Sequence, residues 1–273
     1  MRRAGANLMA DDYHDHPALS YSTGKALLRS PAHYLHALTS REESSTFDVG
    51  HAIHSLVLGI GAEVVEIPFD SYRTKAARDA RDRAYADGLV PMKSADLDPI
   101  REAAEAVLAH PTARAWLERE GAVELPLFAT DPETGVDIRG KLDKLVDIKG
   151  RKIPVDLKTV IDARPAKVFQ SVRDQDYDLQ AAMYRHLIEL ALSAKSGPGV
   201  IIAVEKTLPY GVAVYQLSHE DFVEAGNLKL RTILARAQAL RDNPDAWPGY
   251  PLGTHVLTPP SFYLADLEER FAK

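Results

Sequence analysis

The 273-residue chain has no cysteine. Disulfides, zinc–thiolate centres and iron–sulfur clusters are therefore excluded. Any metal would have to be held by Asp, Glu, His or backbone oxygens, a donor set that favours Mg²⁺ or Mn²⁺ over zinc. No H-E-x-x-H pattern supports a zinc site among the ten histidines. No apolar run approaches the ~18 residues of a membrane span, and no internal repeat or low-complexity tract is evident. The opening "MRRAGANLMADDYHDHPALS" turns polar after a few residues, unlike a secretory leader. These absences predict a soluble, cytoplasmic protein with no membrane partner. Positive charge is also in deficit: 33 Lys and Arg face 39 Asp and Glu, a net charge of −6. Taken globally this argues against nucleic acid, but net charge says little about one cleft.

The remaining composition, 45% hydrophobic and 26% charged, is that of a globular chain able to bury a large core. Residues 1–120 read as a mainly helical lobe. "SYSTGKALLRSPAHYLHAL" offers Ser and Thr caps and a restart at Pro31, and "FDVGHAIHSLVLG" gives a short helix ending at Gly59. "TKAARDARDRAYADGLVPM" is polar on nearly every side, a helix stopped by Gly88. "AVELPLFAT", "GVDIRGKLDKLVDI" and "RKIPVDLKTV" then alternate as half-buried strands do. "DYDLQAAMYRHLIELALSA" is a strongly amphipathic helix; a strand pair around "PYG" and a long final helix follow. The expectation is a mixed α/β (α+β) core over 121–245, a tail over 246–273, and one integrated domain.

The stretch "GKLDKLVDIKGRKIPVDLKT" (140–159) holds the chemistry-bearing pattern. Asp143 and Asp156 lie thirteen residues apart on consecutive strands, a spacing that can set them side by side on one face. Two such carboxylates repel unless a cation lies between them. Lys158 shares the face of Asp156, whereas Val155 and Leu157 point the other way. Carboxylate-held divalent ions and a lysine are what phosphodiester hydrolysis requires. Residues 139–158 also carry seven Lys and Arg against three Asp. A solvated strand face with alternating charge explains the same residues, and they alone leave both readings open.

The order of motifs resembles the PD-(D/E)XK nuclease superfamily, with its restriction-endonuclease-like core, and within it the RecE-type (exodeoxyribonuclease VIII-like, RecB-like) exonucleases. "GKLDKL", "PVDLKT" and "YDLQAAMYRHLI" correspond to G-[KR]-x-D, D-x-K and Q-x-x-x-Y, and the likeness runs over roughly residues 13–218. It implies Asp143, Asp156 and Lys158 as catalytic residues. Metal would be held by His54, Asp143, Asp156 and the Leu157 carbonyl, with Glu124 a further candidate. His51 would be a bystander. Gln180 and Tyr184 would touch DNA or the active site. Lys141 and Lys144 would meet phosphates, and the basic turn Lys149, Arg151 and Lys152 is a weaker candidate for the same role. The resemblance also implies Mg²⁺ or Mn²⁺, one or two per site, and processive 5′→3′ degradation of linear duplex DNA. That would leave a 3′ strand for a RecT-type annealing protein, in a homo-oligomeric ring and a bacterial or phage setting. Rival readings are an endonuclease of the same superfamily and a non-catalytic DNA-binding scaffold. A cluster-containing nuclease sharing D-x-K is removed by the lack of cysteine.

Overall fold

The structure is a computed structural model that describes Tyr13 and residues 16–39, 45–59, 63–243, 250 and 253–271. Part of the tail expected over 246–273 lies outside these residues. The first helices are α1 (Tyr21–Arg29), α2 (Pro31–Thr39) and α3 (Ser45–Leu58). Ser20 caps α1 in a reciprocal box with Thr23, and Pro31 opens α2. Next come β1 (Val64–Ile67), α4 (Lys75–Ala86), β2 (Val90–Lys93), α5 (Ser94–Ala109) and α6 (Pro111–Leu117). Pro111 marks the α5–α6 boundary, where the His110 ring accepts from the Ala113 N–H.

The central elements are β3 (Gly121–Thr130), β4 (Asp137–Ile148), β5 (Arg151–Val160), α7 (Pro165–Gln175), α8 (Tyr177–Leu192), β6 (Val200–Glu205) and β7 (Val212–Gln216). The chain closes with α9 (Glu220–Asp242) and α10 (Tyr263–Phe271). Strands β3 to β7 form one sheet in sequence order. All neighbours are antiparallel except β5 and β6, which are parallel. A parallel pair needs a crossover, and here α7 and α8 supply it. The sequence reading lacked α7, whose only buried apolar residues are Val168 and Val172. It also lacked β2, a four-residue strand that pairs parallel with β1.

The sheet is covered on both faces, as the unbroken buried run Val200 to Val204 on β6 requires. On one face Ile53 of α3, Ile100 and Val107 of α5 and Ala113 of α6 pack against Val146, Val155, Leu157 and Ile202. On the other, Leu179, Met183 and Leu187 of α8 and Ile233 of α9 pack against Ile138, Leu142 and Leu145. Each fully buried Leu or Ile contributes about 1.5–3 kcal/mol to this three-layer core. Gly226 lets α9 close on α8: a Cβ there would lie 2.3 Å from the Asp178 carbonyl oxygen. No described helix is long and apolar enough to cross a membrane.

Candidate active site

The site forms where the regular sheet fails. Leu142 and Leu145 both join the α8 side of the core, although residues three apart on an unbroken strand face opposite ways. The β3–β4 ladder pairs Val123 with Lys144 and Leu125 with Leu142, leaving Glu124 and Asp143 unpaired between them. Glu124 has φ +51°, a left-handed conformation rare for a non-glycine residue. The kink absorbs the parity change and turns both carboxylates to one point. The β4–β5 ladder also ends there, at Lys144 opposite Val155. The next positions in that register are Asp143 and Asp156.

Beyond the ladder, side chains take over from backbone. The Leu157 N–H donates to Asp143 Oδ2 at 2.8 Å. His54 Nε2 lies 2.7 Å from the Leu157 carbonyl oxygen, the only acceptor of that pair, so Nε2 carries the hydrogen. Nδ1 then faces Asp143 Oδ2 at 3.5 Å. His54, Glu124 and Asp143 each present a ligand atom within 4.8 Å of the others. Glu124 also pairs with Lys141.

Asp156 is 8% exposed. Its Oδ1 accepts from Gln180 Nε2 at 3.1 Å, and its Oδ2 lies 2.6 Å from Lys158 Nζ. That contact is a charge-assisted ion pair, in which the Lys158 ammonium serves the buried Oδ2. Gln180 Nε2 also donates to the Tyr184 hydroxyl at 2.8 Å, which donates to the Lys141 carbonyl at 3.0 Å. Tyr177, which the sequence reading passed over, places its ring centroid 4.7 Å from Lys158 Nζ. Tyr177, Gln180 and Tyr184 recur at three and four residues on α8 and line one face. The signal for Tyr177 was that spacing, read one turn back from Gln180.

Burial, then the Asp156 charge, pushes the Asp143 carboxyl up to about 6, against the pull of His54, Lys158 and the Leu157 N–H. Burial alone would lower Lys158, but the charges of Asp156 and Asp143 outweigh it and hold its pKa above the ordinary lysine value. Lys158 is therefore an ammonium here, able to donate and to neutralise charge but not to accept a proton. Burial, then Asp156 and Asp143, raises Tyr184 well above the usual phenol value, so its hydroxyl stays neutral.

Several expectations change. Asp156 lies outside the three-residue ligand cluster and engages Gln180 and Lys158 instead. The Leu157 carbonyl, expected to meet metal, is taken by His54. Gln180 and Tyr184, expected to touch DNA or the active site, are 8% and 7% exposed and reach Asp156 and the Lys141 carbonyl. Lys144, expected to meet phosphate, is 6% exposed and donates to the Leu117 carbonyl on the α6 side. Lys141 is committed to Glu124. In the turn, Asp147 accepts the Gly150 N–H and pairs with Lys152 at 3.1 Å, the pattern of a solvated hairpin. His51 is exposed.

The fit of a divalent cation rests on three observations. Three ligand atoms of O and N type converge, the His54 ring is oriented by a backbone carbonyl as metal-binding histidines usually are, and a buried carboxyl is held high for want of positive charge. The set suits a hard or borderline ion such as Mg²⁺ or Mn²⁺.

A five-stranded mixed sheet with a carboxylate strand pair, D-x-K on its central strand and helices on both faces defines a PD-(D/E)XK nuclease-like fold. The chain belongs to the family described as "PDDEXK-like domain of unknown function (DUF3799)", whose model matches residues 20–252. Membership supports a nuclease function. Among solved structures the chain is similar to a provisionally named exonuclease from Eubacterium rectale. The identity is 16%, over 96% of this chain and 98% of that one, with a TM-score of 0.63. That likeness is one of fold. A phage related exonuclease from Haemophilus somnus 129PT matches at 14% identity over 71% of this chain and 95% of its own, with a TM-score of 0.33. Comparison with curated proteins gives no match.

Proposed function

We propose that the protein is a divalent-metal-dependent exodeoxyribonuclease that hydrolyses linear double-stranded DNA. The observation that carries this reading is the convergence of Asp143, Asp156 and Lys158 at the end of the β4–β5 ladder, with His54 and Glu124 beside them. His54, Glu124 and Asp143 would hold the cation, and Asp156 lies beside them with its Oδ2 paired to Lys158. When bound, the ion supplies Lewis-acid polarisation of the phosphoryl group.

The chain's own groups do the rest. Lys158 brings an ammonium to the phosphate, where negative charge grows as water adds to phosphorus and the ester P–O bond breaks. Gln180 fixes the rotamer of Asp156, and Tyr184 fixes Gln180, so the carboxylate is positioned before substrate arrives. Tyr177 confines the Lys158 ammonium from the other side.

The finer reading is 5′→3′, processive digestion by a ring of subunits, leaving a 3′ strand for an annealing protein. It rests on the motif resemblance. The test is digestion of linear duplex, nicked circle and closed circle with Mg²⁺ or Mn²⁺, comparing wild type with Asp156→Ala and Lys158→Ala. Linear DNA should be degraded by wild type alone. Digestion that survives both substitutions would refute the site, and cutting of closed circles would replace the exonuclease with an endonuclease. End-labelled duplexes report polarity, and light scattering reports the ring.

A further inference from the structure

A cavity lies against the helix that carries His54. It has a volume of about 400 Å³ and is lined by Val49, Ile53, Lys93, Asp96, Pro99, Ile100 and Lys206. That volume lies in the range of small-ligand sites. Val49 and Ile53 stand one above the other on α3, and His54 follows Ile53 directly. The helix crosses the carboxyl end of β5, where a Cβ on Gly50 would sit 3.5 Å from Thr159 Oγ1. Lys206 follows β6 and donates its backbone N–H to the Val160 carbonyl at the same end of the sheet. The cavity thus adjoins the candidate active site through one helix and one strand end.

Its chemistry is two-sided. Val49 and Pro99 give the accessible apolar wall, backed by the buried Ile53 and Ile100. Lys93 is neutralised by Asp96 at 2.7 Å. Lys206 has no carboxylate within ion-pair distance among the described residues, so the cavity keeps one uncompensated ammonium. An apolar wall with a single free cation matches a ligand with one phosphate and one flat or weakly polar body.

We propose that this cavity is a nucleotide subsite. It takes one nucleotide of the strand held at the active site, with its phosphate on Lys206 and its sugar or base against Val49 and Pro99. The proposal rests on the nuclease reading for the identity of that strand. It assigns Lys206 to substrate binding and leaves the bond-breaking step to the carboxylates and Lys158.

The experiment measures the affinity of the full chain for a fluorescently labelled linear duplex, without divalent ion, by anisotropy at several salt concentrations. Variants are Lys206→Ala, Lys206→Arg and, as a surface control, Lys195→Ala, each checked for a wild-type melting temperature. Lys206→Ala should weaken binding about fivefold and flatten the log–log salt dependence by about one phosphate's worth. Lys206→Arg should restore both, and Lys195→Ala should change neither. A 2′-deoxynucleoside 5′-monophosphate should compete with the duplex in wild type and lose that competition in Lys206→Ala. Affinity and salt slope unchanged in Lys206→Ala would overturn the subsite. If wild type cuts linear DNA but Lys206→Ala binds and cuts as well, the subsite alone fails. If nothing is cut yet the Lys206-dependent slope is present, the nuclease reading fails and the subsite stands.

Discussion

Replacing Asp143 by Asn should stabilise the metal-free protein while abolishing its activity. In the folded chain burial, then the Asp156 charge, disfavours the ionised form and pushes the Asp143 carboxyl up to about 6, above the ordinary carboxylate range. The folded state therefore binds this proton more tightly than the unfolded state. The associated stability is fully present below pH 4 and is lost as pH rises through 6. A difference of about two pH units corresponds to about 3 kcal/mol, an upper figure because 15% of the side chain still meets solvent.

Asn cannot ionise, and its amide oxygen can keep the Oδ2 position that accepts from the Leu157 N–H. In buffer containing a chelator, Asp143→Asn should melt roughly 5–10 °C above wild type at pH 7.5, given about 2–4 °C per kcal/mol for a chain of this size. The two should coincide near pH 4. Added Mn²⁺ should raise the melting temperature of wild type by mass action and leave the variant nearly unmoved. Parallel melting curves for wild type and variant from pH 4 to 8 would refute the argument, because they would mean that Asp143 ionises in the fold as freely as in water.

Two further outcomes follow from the neighbouring packing. Tyr177→Phe keeps the ring that confines Lys158 and should retain near wild-type rates, whereas Tyr177→Leu should lose roughly 5- to 30-fold in kcat with KM little changed, the equivalent of about 1–2 kcal/mol; equal rates for Phe and Leu would remove the ring from the mechanism. Gly226→Ala would drive a methyl to 2.3 Å from the Asp178 carbonyl oxygen, so α9 must move off α8 at a cost of about 1–3 kcal/mol, read as a fall in denaturant midpoint; an unchanged midpoint would show that the helix pair is not closely packed there.

The parts legible in the sequence were those with a period. Strand alternation put Asp156 and Lys158 on one face, where they lie 2.6 Å apart. The hairpin spacing made Asp143 the cross-strand neighbour of Asp156. The helix carrying Gln180 and Tyr184 was plain from its apolar stripe. What escaped had no period to show it. A left-handed Glu124 inside "AVELPLF" carries no local signal, since nothing in the strand announces a φ of +51°. Lys144 looked like a phosphate contact because charge is visible in a sequence and burial is not; its stem crosses the core face and its ammonium ends on the Leu117 carbonyl. Gln180 and Tyr184 were expected to touch DNA or the active site, and the same blindness to burial left that choice open. Polar residues on a buried helix face point inward only when they satisfy one another, and here Asp156, Gln180 and Tyr184 do.

The geometry of Leu157 explains why the irregularity and the site coincide. In a continuing β4–β5 ladder, both backbone polar groups of Leu157 on the β4 side would be spent on strand pairing. The ladder stops at Val155, and a buried N–H and C=O cannot be left without partners. Asp143 accepts from the one and His54 donates to the other. The same two bonds that satisfy the orphaned backbone therefore fix the two side chains, one from the sheet and one from α3, in the orientation that brings Glu124 within reach as a third ligand. On this account Leu157 acts as a backbone anchor for the ligands, so its own side chain is free to be core, which it is, at 2% exposure. The Lys158 side of the site is assembled independently, by α8, through Tyr177 and Gln180. Two supports on opposite faces of the sheet, α3 and α8, thus meet across one strand end, and a change in either should disturb its own half of the site before the other.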